Sequence, residues 1–509
     1  MERREMLKMA GVGVAATVAP TAAGAVDSGP LVNSAAGAAW FNVRQFGAKG
    51  DGASVDSPSI NHAIDAAAAA GGGTVLFPAG VYLTYSIRLK SKVGIYLDHG
   101  AVILAAPTPL EGTKTGGYDA AEPQGKWEPY QDYGHNHWHN SLIWGEGLDG
   151  VSITGPGLIW GKGLSRGWDW QKDEGMPDAT KPGVGNKSIA LKNCRNVHLR
   201  DFSILMGGHF GILATGVDNL SIDNLLIDTN RDGIDIDCCR NVRVSNCTVN
   251  SPWDDAICPK SSFALGYARP TENLTITNCY VTGGYELGSV LDGTWKLSSG
   301  LHWPATGRIK LGTESNGGFR NVTVSNCVFE SCQGFALESE DGALVEDITF
   351  TGITMRDIRS APLFLRLGIR MRGPRDAKPG VMKRVILSNI TSSGASPLPS
   401  IISGVPGHPI EDIKISGVFL EQVGGGTPEM AALDPEERET AYPDPKMFGE
   451  LPATGFFVRH ARNIEMSNVE IAARTADARP ALWLTMSPAR TSSACACRKV
   501  RHQHSICGK

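Results

Sequence analysis

The sequence has no excess of basic residues. Lys and Arg number 48 against 52 Asp and Glu, which gives a net charge of -4 over 509 residues. Nucleic-acid-binding proteins carry a basic surface, so this balance argues against a nucleic-acid partner. Outside the N-terminus the chain also lacks a run of about 18 apolar residues, so we predict no membrane-spanning helix and no membrane partner.

Helix-length apolar patterns are scarce, whereas glycine is abundant. The 61 glycines and 29 prolines are about 18% of the chain, a share that predicts many tight turns and few long helices. A chain of 509 residues exceeds the needs of one ordinary core. It therefore forms either two domains or one elongated, repetitive domain.

The N-terminus has the three-part order of an export signal. Arg3-Arg4 precedes an apolar run from Gly11 to Ala25 that ends in small residues, and this order resembles a twin-arginine signal. A disordered arm is the alternative. We predict that residues 1–25 are an export signal, that residues 26–485 form the fold, and that the protein is periplasmic or extracellular.

Some of the eleven cysteines follow the chain's internal repetition. Four of them each follow an asparagine that closes a strand-like run: Cys194, Cys247, Cys279 and Cys327. This regularity predicts free cysteines that serve as small buried hydrophobic residues. A disulfide from Cys238 or Cys239, or between Cys327 and Cys332, is the alternative.

One phrase recurs from about residue 150 onward: Asn or Asp followed by alternating apolar residues. Its copies begin at Asn196, Asn219, Asn241, Asn273, Asn321, Asp347, Asp412 and Asn463. The first five are spaced by 23, 22, 32 and 48 residues, as in a solenoid with insertions. Short period-2 strands in such a repeat predict a single all-β domain, a parallel β-helix. A β-sandwich is the alternative, but regular hairpin spacing is missing.

A short helix precedes the repeats. Ser57-Pro58 is a typical helix start, Ile60 to Ala67 has helical apolar spacing, and Gly71 to Gly73 ends the element. We predict that this helix caps the open N-terminal end of the solenoid, whose edge would otherwise be exposed.

Acidic residues cluster in two consecutive repeats. Asp232, Asp235 and Asp237 lie in the first, and Asp254-Asp255 in the second. A turn of about 22 residues places Asp232 and Asp254 one above the other. Crowded carboxylates drive their pKa values apart, so that one stays protonated beside ionised neighbours and the site gains an acid and a base. A calcium ladder or a solvated turn is the alternative.

Several motifs resemble the pectin-degrading family 28 glycoside hydrolases, the polygalacturonase-like enzymes. They are the segments 41–48, 50–52, 77–82, 230–235 and 254–261. The resemblance implies a right-handed parallel β-helix, hydrolysis with inversion, and no metal or organic cofactor. It also implies that Asp254 is the general acid and that Asp232 and Asp255 hold the attacking water. Inversion needs carboxyl groups roughly 6.5–9.5 Å apart, a gap that adjacent turns can span.

The same resemblance implies a set of substrate-binding residues and shows departures from the family. Within the two acidic motifs, the resemblance adds Asp235 and Lys260 to the substrate-binding set. The family histidine is absent, and His209 and His302 are the candidate replacements. Where the family has a uronate-binding Arg-Ile-Lys, this chain has Ala336 and Glu338, and the carboxylate predicts repulsion of galacturonate. Arg308 and Lys310 form an Arg-Ile-Lys one motif earlier, either as anion-binding residues or as a solvated strand face.

An aromatic-rich insertion is predicted at about residues 107–185. It holds Trp127, Tyr130, Tyr133, Trp138, Trp144, Trp160, Trp168 and Trp170. Trp253 and Trp295 flank the acidic site. These rings predict sugar stacking, with a hydrophobic cluster beneath a loop as the equal alternative. His135, His137 and His139 alternate in the same insertion, and we predict hydrogen bonding rather than metal binding for them.

The residues together predict a glycosidase that acts on a poly- or oligosaccharide, pectin-related or from another plant or algal glycan. A β-helix polysaccharide lyase, or a non-catalytic glycan-binding relative, is the alternative. A lyase would need an arginine or lysine base with calcium, a base that Arg308 or Lys310 would supply.

The C-terminal segment 486–509 departs from the repeat. It carries Cys495, Cys497 and Cys507 and no further copy of the phrase. A GC-rich back-translation of Thr485 to Cys497, with codons chosen among the synonymous ones and read one base later, can give a strand-like sequence. We therefore hypothesise a frameshifted tail that leaves the last turn uncovered and prone to aggregation. A genuine metal-binding or disordered tail is the alternative.

Overall fold

The computed structural model describes residues 40–108, 117–131, 134–165, 179–297, 305–486 and 495–496. The chain separates into residues 1–38 and a second compact unit that begins at Ala39. The predicted export signal, His302 and all of the tail beyond Met486 except 495–496 lie outside the described residues. The export and frameshift hypotheses stay predictions, and sequencing the locus decides the second.

Two α-helices and three short 3-10 helices accompany the strands in the described part of the chain. The α-helices are α1 (Ser57–Ala69) and α2 (Pro428–Ala431), and the 3-10 helices are Val43–Phe46, Glu128–Tyr130 and Pro445–Phe448. No helix in the described ranges is long and apolar enough to cross a membrane.

The strands of the first half, in chain order, are β1 (Trp40–Asn42), β2 (Asp51–Val55), β3 (Gly73–Phe77), β4 (Gly80–Thr84), β5 (Ile87–Arg88), β6 (Val93–Leu97), β7 (Ala101–Ala105), β8 (Ile143–Glu146), β9 (Asp149–Thr154), β10 (Leu158–Trp160), β11 (Lys187–Lys192), β12 (Arg195–Arg200), β13 (Ser203–Leu205), β14 (Phe210–Thr215), β15 (Asp218–Asp223), β16 (Leu226–Asp228), β17 (Asp232–Asp237), β18 (Arg240–Ser245) and β19 (Thr248–Asn250).

The remaining strands are β20 (Ile257–Lys260), β21 (Thr271–Thr277), β22 (Tyr280–Thr282), β23 (Tyr285–Leu287), β24 (Lys296–Leu297), β25 (Lys310–Leu311), β26 (Phe319–Ser325), β27 (Val328–Glu330), β28 (Phe335–Ser339), β29 (Leu344–Arg356), β30 (Leu363–Leu367), β31 (Val381–Ser396), β32 (Ser400–Ser403), β33 (Ile410–Gln422), β34 (Phe456–Ala473), β35 (Leu482–Met486) and β36 (Cys495–Ala496).

These strands form the predicted parallel β-helix. Each turn adds a strand to each of three parallel ladders, and only β23 and β24 pair antiparallel among the named strands. The recurring phrase supplies the ladder that contains β12, β15, β18, β21 and β26. The ladder that carries the acidic residues, here called the site ladder, runs β5, β8, β11, β14, β17 and β20. A bridge between Ile257 and Ile309 extends it to β25, β28, β30, β32 and β34.

The asparagine of the phrase is needed at a turn of the backbone. Asn196, Asn219 and Asn241 all have φ near +55°, a left-handed conformation that asparagine tolerates better than most residues. Their side-chain amides also hydrogen-bond from turn to turn, as from Asn219 Nδ2 to Asn196 Oδ1 at 3.0 Å. The repeat in the sequence is therefore the repeat of this bend.

The interior of the helix is apolar and its N-terminal end is covered, as predicted. On α1, Ile60, Ala63, Ile64 and Ala67 are fully buried. The eight cysteines from Cys194 to Cys332 are free and buried, so the alternative disulfides of Cys238, Cys239, Cys327 and Cys332 are wrong.

The C-terminal end is less well covered. Ile413 and Ile415 of β33 are buried, whereas their partners Ile464 and Met466 on β34 are only partly buried. Strand β36 pairs with β34 at Met466. In the described part of the chain, the strand that pairs with β34 on this ladder is therefore only two residues long, which is shorter than the strands that cover the earlier turns.

The predicted bounds of the aromatic insertion are wrong. Strands β8, β9 and β10 fall inside 107–185 and pair with the turns on either side. One regular turn of the helix therefore interrupts the predicted insertion, because its short apolar runs are hard to distinguish from loop sequence.

Candidate active site

The acidic residues meet where β17 begins and where the turn before β20 ends. Asp235 pairs with Cys258, which is an offset of 23 residues. This register stacks Asp255, and not the predicted Asp254, on Asp232. The Asp255 backbone N–H donates to Asp232 Oδ1 at 3.1 Å. Asp254 lies one residue earlier in the turn, and its side chain is 27% exposed while Asp232 and Asp255 are buried.

The three carboxylates lie close together. One oxygen from each of Asp232, Asp254 and Asp255 lies within 4.8 Å of the others. This value joins the nearest oxygens and not the carboxyl groups as a whole, so the gap of roughly 6.5–9.5 Å that inversion needs stays a prediction.

Two buried cations fix the charge of Asp255. Arg308 Nε lies 2.9 Å from Asp255 Oδ1, and Lys310 Nζ makes a close ion pair with Oδ2. Burial disfavours the charged form, but Lys310 and Arg308 outweigh it, so the pKa of Asp255 lies well below its usual range. Both cations are buried and face Asp255. The alternative of a solvated strand face is therefore wrong, and binding of the substrate anion by these two residues stays a prediction.

Asp232 shows the opposite behaviour. Burial and the neighbouring charge of Asp254 raise its pKa to about 7, against the opposing charge of Lys260. Asp232 thus gains and loses its proton near neutral pH beside the ionised Asp255, so the two pKa values are driven apart as the crowding argument predicts. Asp254 instead accepts a hydrogen bond from Arg231 Nη2 at 2.8 Å.

Glu338 is a buried carboxyl group beside Arg308. It is fully buried, none of the described residues donates a hydrogen bond to its oxygens, and Arg308 Nη2 is 3.5 Å away. Burial raises its pKa to about 7 despite Arg308 and Lys310. The expected repulsion of a sugar carboxylate by Glu338 stays a prediction.

This burial predicts a pH-dependent stability. A carboxyl whose pKa is higher in the folded state stabilises the fold fully below pH 4.5, its usual pKa, and the contribution is lost as the pH rises through about 7. From pH 5 to 8, Glu338→Gln should lose less stability than the wild type, by on the order of 1–3 kcal/mol. Urea unfolding at both pH values measures this. The exposed Glu465→Gln is the control, and equal pH slopes in Glu338→Gln and wild type would contradict it.

The other predicted substrate-binding residues are also buried. Neither oxygen of Asp235 accepts a hydrogen bond, and Lys260 Nζ is 3.7 Å from Oδ2. Lys260 also donates to Cys258 Sγ at 3.1 Å. His209 is fully buried, with its ring centroid 4.4 Å from that of Phe210. All three are buried, and their role in substrate binding stays a prediction.

Three groups have the ligand types of a metal site. They are Glu122 with His139 and Glu146, His135 with Asp232 and Asp235, and the three catalytic candidates Asp232, Asp254 and Asp255. Cations of the protein already neutralise each of them: Lys192 lies 3.0 Å from Glu146, Lys260 lies near Asp235, and Arg308 lies on Asp255. This arrangement opposes binding of a second cation.

The aromatic insertion packs more than it exposes. Trp138 is buried in a cluster with Ala190, Phe210 and Leu213, and its Nε1 donates to Thr215 Oγ1 at 3.1 Å. For Trp138 the hydrophobic-cluster alternative is therefore correct. His135 makes a close contact with Glu314, and His139 Nε2 lies 3.0 Å from Glu146 Oε2. The prediction of hydrogen bonding is confirmed for these two histidines. Tyr133, Trp168 and Trp170 lie outside the described residues.

Two residues of the site were missed by sequence reasoning. Arg231 lies inside the quoted motif 230–235, and its position directly before Asp232 was the available signal. Tyr442 lies between β33 and β34, where the sequence has no copy of the phrase and gives no signal. Its phenol lies within electrostatic range of Lys310, Glu338 and Asp254.

Comparison with known families agrees with this architecture. A model described as "Right handed beta helix region" matches residues 187–365, which span the acidic turns. A second, described as "Rhamnogalacturonase A/epimerase, pectate lyase-like", matches residues 40–112. The helix is therefore right-handed, as the family resemblance implied.

A curated relative is similar to most of the chain. A probable polygalacturonase of Vitis vinifera is 26% identical over 407 residues, which cover 74% of this chain and 73% of the relative. The chain resembles polygalacturonases. Two solved exopolygalacturonases share its fold. The Thermotoga maritima enzyme has a TM-score of 0.61 at 20% identity, over 85% of this chain and 92% of its own, and the Yersinia enterocolitica enzyme has 0.62 at 19%, over 88% and 77%.

Other curated proteins match a shorter part of this chain at higher sequence identity. A mannuronan C5-epimerase of Azotobacter vinelandii is 57% identical over 80 residues, and alginate lyase 7 of the same organism is 60% identical over 76. These matches cover 14% and 15% of this chain, and only 4% and 8% of the two relatives. These two matches therefore concern a short segment of this chain.

Proposed function

We propose that the protein hydrolyses a glycosidic bond of a pectin-related or other plant or algal polysaccharide by direct attack of water, with inversion. One observation carries the proposal: one oxygen from each of the buried Asp232, the buried Asp255 and the partly exposed Asp254 lies within 4.8 Å of the others. The pKa of Asp232 is raised to about 7, and that of Asp255 lies well below its usual range. Such a cluster holds both an acid and a base near neutral pH.

The roles follow from exposure and charge. Asp254 faces the open side, so it gives a proton to the leaving oxygen as the bond from the anomeric carbon to that oxygen breaks. Asp232 first passes its proton to Asp254, which then serves as the acid. Asp232 and Asp255 hold the water, whose oxygen bonds to the anomeric carbon and whose proton passes to the now ionised Asp232, so that the starting protonation state is restored.

The proposed substrate preference follows from the ion pairs of two buried basic side chains. Arg308 and Lys310 are committed to Asp255 and Glu338, so they do not offer a free charge to a galacturonate carboxylate. We propose that the sugar beside Asp254 is neutral or carries its carboxylate elsewhere. Reducing-sugar assays should give slow turnover on unmodified polygalacturonan, and rapid hydrolysis of that polymer would refute this preference.

A lyase is the second candidate, because the local matches include an alginate lyase and a C5-epimerase. Abstraction of a proton next to a uronate carboxylate needs a free base. In this site the basic side chains proposed for that role, Arg308 and Lys310, are buried and ion-paired. This favours hydrolysis.

The product separates the two reactions. We expect a panel of plant and algal oligosaccharides to yield new reducing ends without ultraviolet absorption. An unsaturated product that absorbs in the ultraviolet would replace the hydrolase by the lyase. Absence of any product from the whole panel would favour a glycan-binding protein, which isothermal titration with the same oligosaccharides would then detect.

A further inference from the structure

Apolar clusters cover the outer face of the site ladder on both sides of the carboxylates. The upstream cluster comprises Trp138, Ala190, Phe210, Leu213 and Ala264. The downstream cluster joins ladder residues to the segment between β33 and β34: Ala336, Ala361, Phe364, Ile401, Phe448, Leu451, Ala453 and Phe457. Only β17, β20 and β25 lie between the two clusters, a stretch on the order of 10–15 Å at the usual strand spacing.

Two buried arginines hold the downstream cover in place. Arg366 and Arg459 lie in one row of the ladder, with Ser403 between them. Arg366 Nη2 donates to the carbonyl of Arg438 at 2.9 Å, and Arg459 Nη2 donates to that of Glu436 at 2.9 Å. Each guanidinium also lies 5.4 Å from the ring centroid of Phe448. Charged donors on backbone carbonyls fix the 423–455 segment, so this cover is a built part of the fold.

The same segment brings Tyr442 to the carboxylates. Tyr442 is 54% exposed, although a side-chain hydrogen bond links it to the buried Thr313 and although Lys310 and Asp254 lie within electrostatic range of its phenol. Asp254 is the most exposed of the three carboxylates. Tyr442 and Asp254 are therefore two solvent-accessible side chains within electrostatic range of each other.

We infer that the site is a pocket closed in both directions along the helix axis, which takes the end of a glycan chain or a short oligosaccharide, and that Tyr442 contacts the sugar next to Asp254. This rests on the proposed hydrolysis. A chain that ran along the axis would have to displace the upstream or the downstream cluster, both of which are buried. The flat ring and hydroxyl of Tyr442 suit a sugar, which offers an apolar face and hydroxyl groups.

The mode of attack is tested on the best polymer from the panel. We expect products of one or two sugar units from the first minutes, while the viscosity of the polymer falls slowly. A rapid fall in viscosity with long intermediate products would overturn the pocket, although hydrolysis itself would stand. Absence of new reducing ends would instead mean that the proposed function has failed.

The contact is tested by Tyr442→Ala and Tyr442→Phe. We expect Tyr442→Ala to raise KM about tenfold or more with a smaller change in kcat, and Tyr442→Phe to restore most of the affinity through the ring. Leu433→Ala, on the same segment and 40% exposed, is the control for disturbance of the segment. Wild-type KM in Tyr442→Ala, or an equal rise in Leu433→Ala, would refute the contact.

Discussion

Asp254→Asn is expected to lose turnover by about 10²- to 10⁴-fold, the usual contribution of a general acid. The substitution removes the transferable proton from a side chain that is 27% exposed and hydrogen-bonded to Arg231. An amide still accepts from Arg231, so the fold should survive, with a melting temperature close to that of the wild type. Steady-state rates on the best substrate of the panel, with thermal unfolding of the same sample, measure both effects.

The control for this variant is Asp65→Asn, which removes a carboxylate from α1 that is ion-paired with Lys90 at 3.6 Å, away from the site. It should leave turnover unchanged. If Asp254→Asn keeps more than about a tenth of the wild-type rate, the acid is another member of the cluster. Asp232, whose pKa of about 7 already allows it to carry a proton, would then be the acid.

Asp255→Asn is expected to abolish turnover and to destabilise the fold as well. It leaves Arg308 and Lys310 buried without the carboxylate that neutralises them. Removal of one partner from a buried ion pair costs on the order of 3–5 kcal/mol. Denaturant unfolding should therefore separate Asp255→Asn from Asp254→Asn, although both are inactive.

A second substitution makes this test independent of general misfolding. Asp255→Asn with Lys310→Met removes one of the two stranded cations, so it should recover part of the lost stability and none of the activity. If Asp255→Asn unfolds like the wild type, the buried ion pairs do not carry the charge balance described here. Recovery of turnover in the double variant would exclude Asp255 from the chemistry.

Much of the fold could be predicted from the sequence because it rests on local rules that repeat. An asparagine tolerates the left-handed bend, and alternating apolar residues define an inner face, so each copy of the phrase predicts one turn. The capping role of α1 followed in the same way from Pro58 and from apolar spacing. The bounds of the aromatic insertion did not follow, because β8 to β10 lack the phrase and resemble loop sequence.

Sequence by itself determined that the acidic residues of two repeats meet on one ladder. The tertiary structure decided which of them stack, because an offset of 23 instead of 22 residues places Asp255 on Asp232 and leaves Asp254 towards solvent. It also decided that Arg308, Lys310 and Glu338 face inwards and hold the charge of Asp255. Burial and the distance between charges set those roles, and both depend on segments far apart in the chain, such as 423–455, which brings Tyr442 to the site.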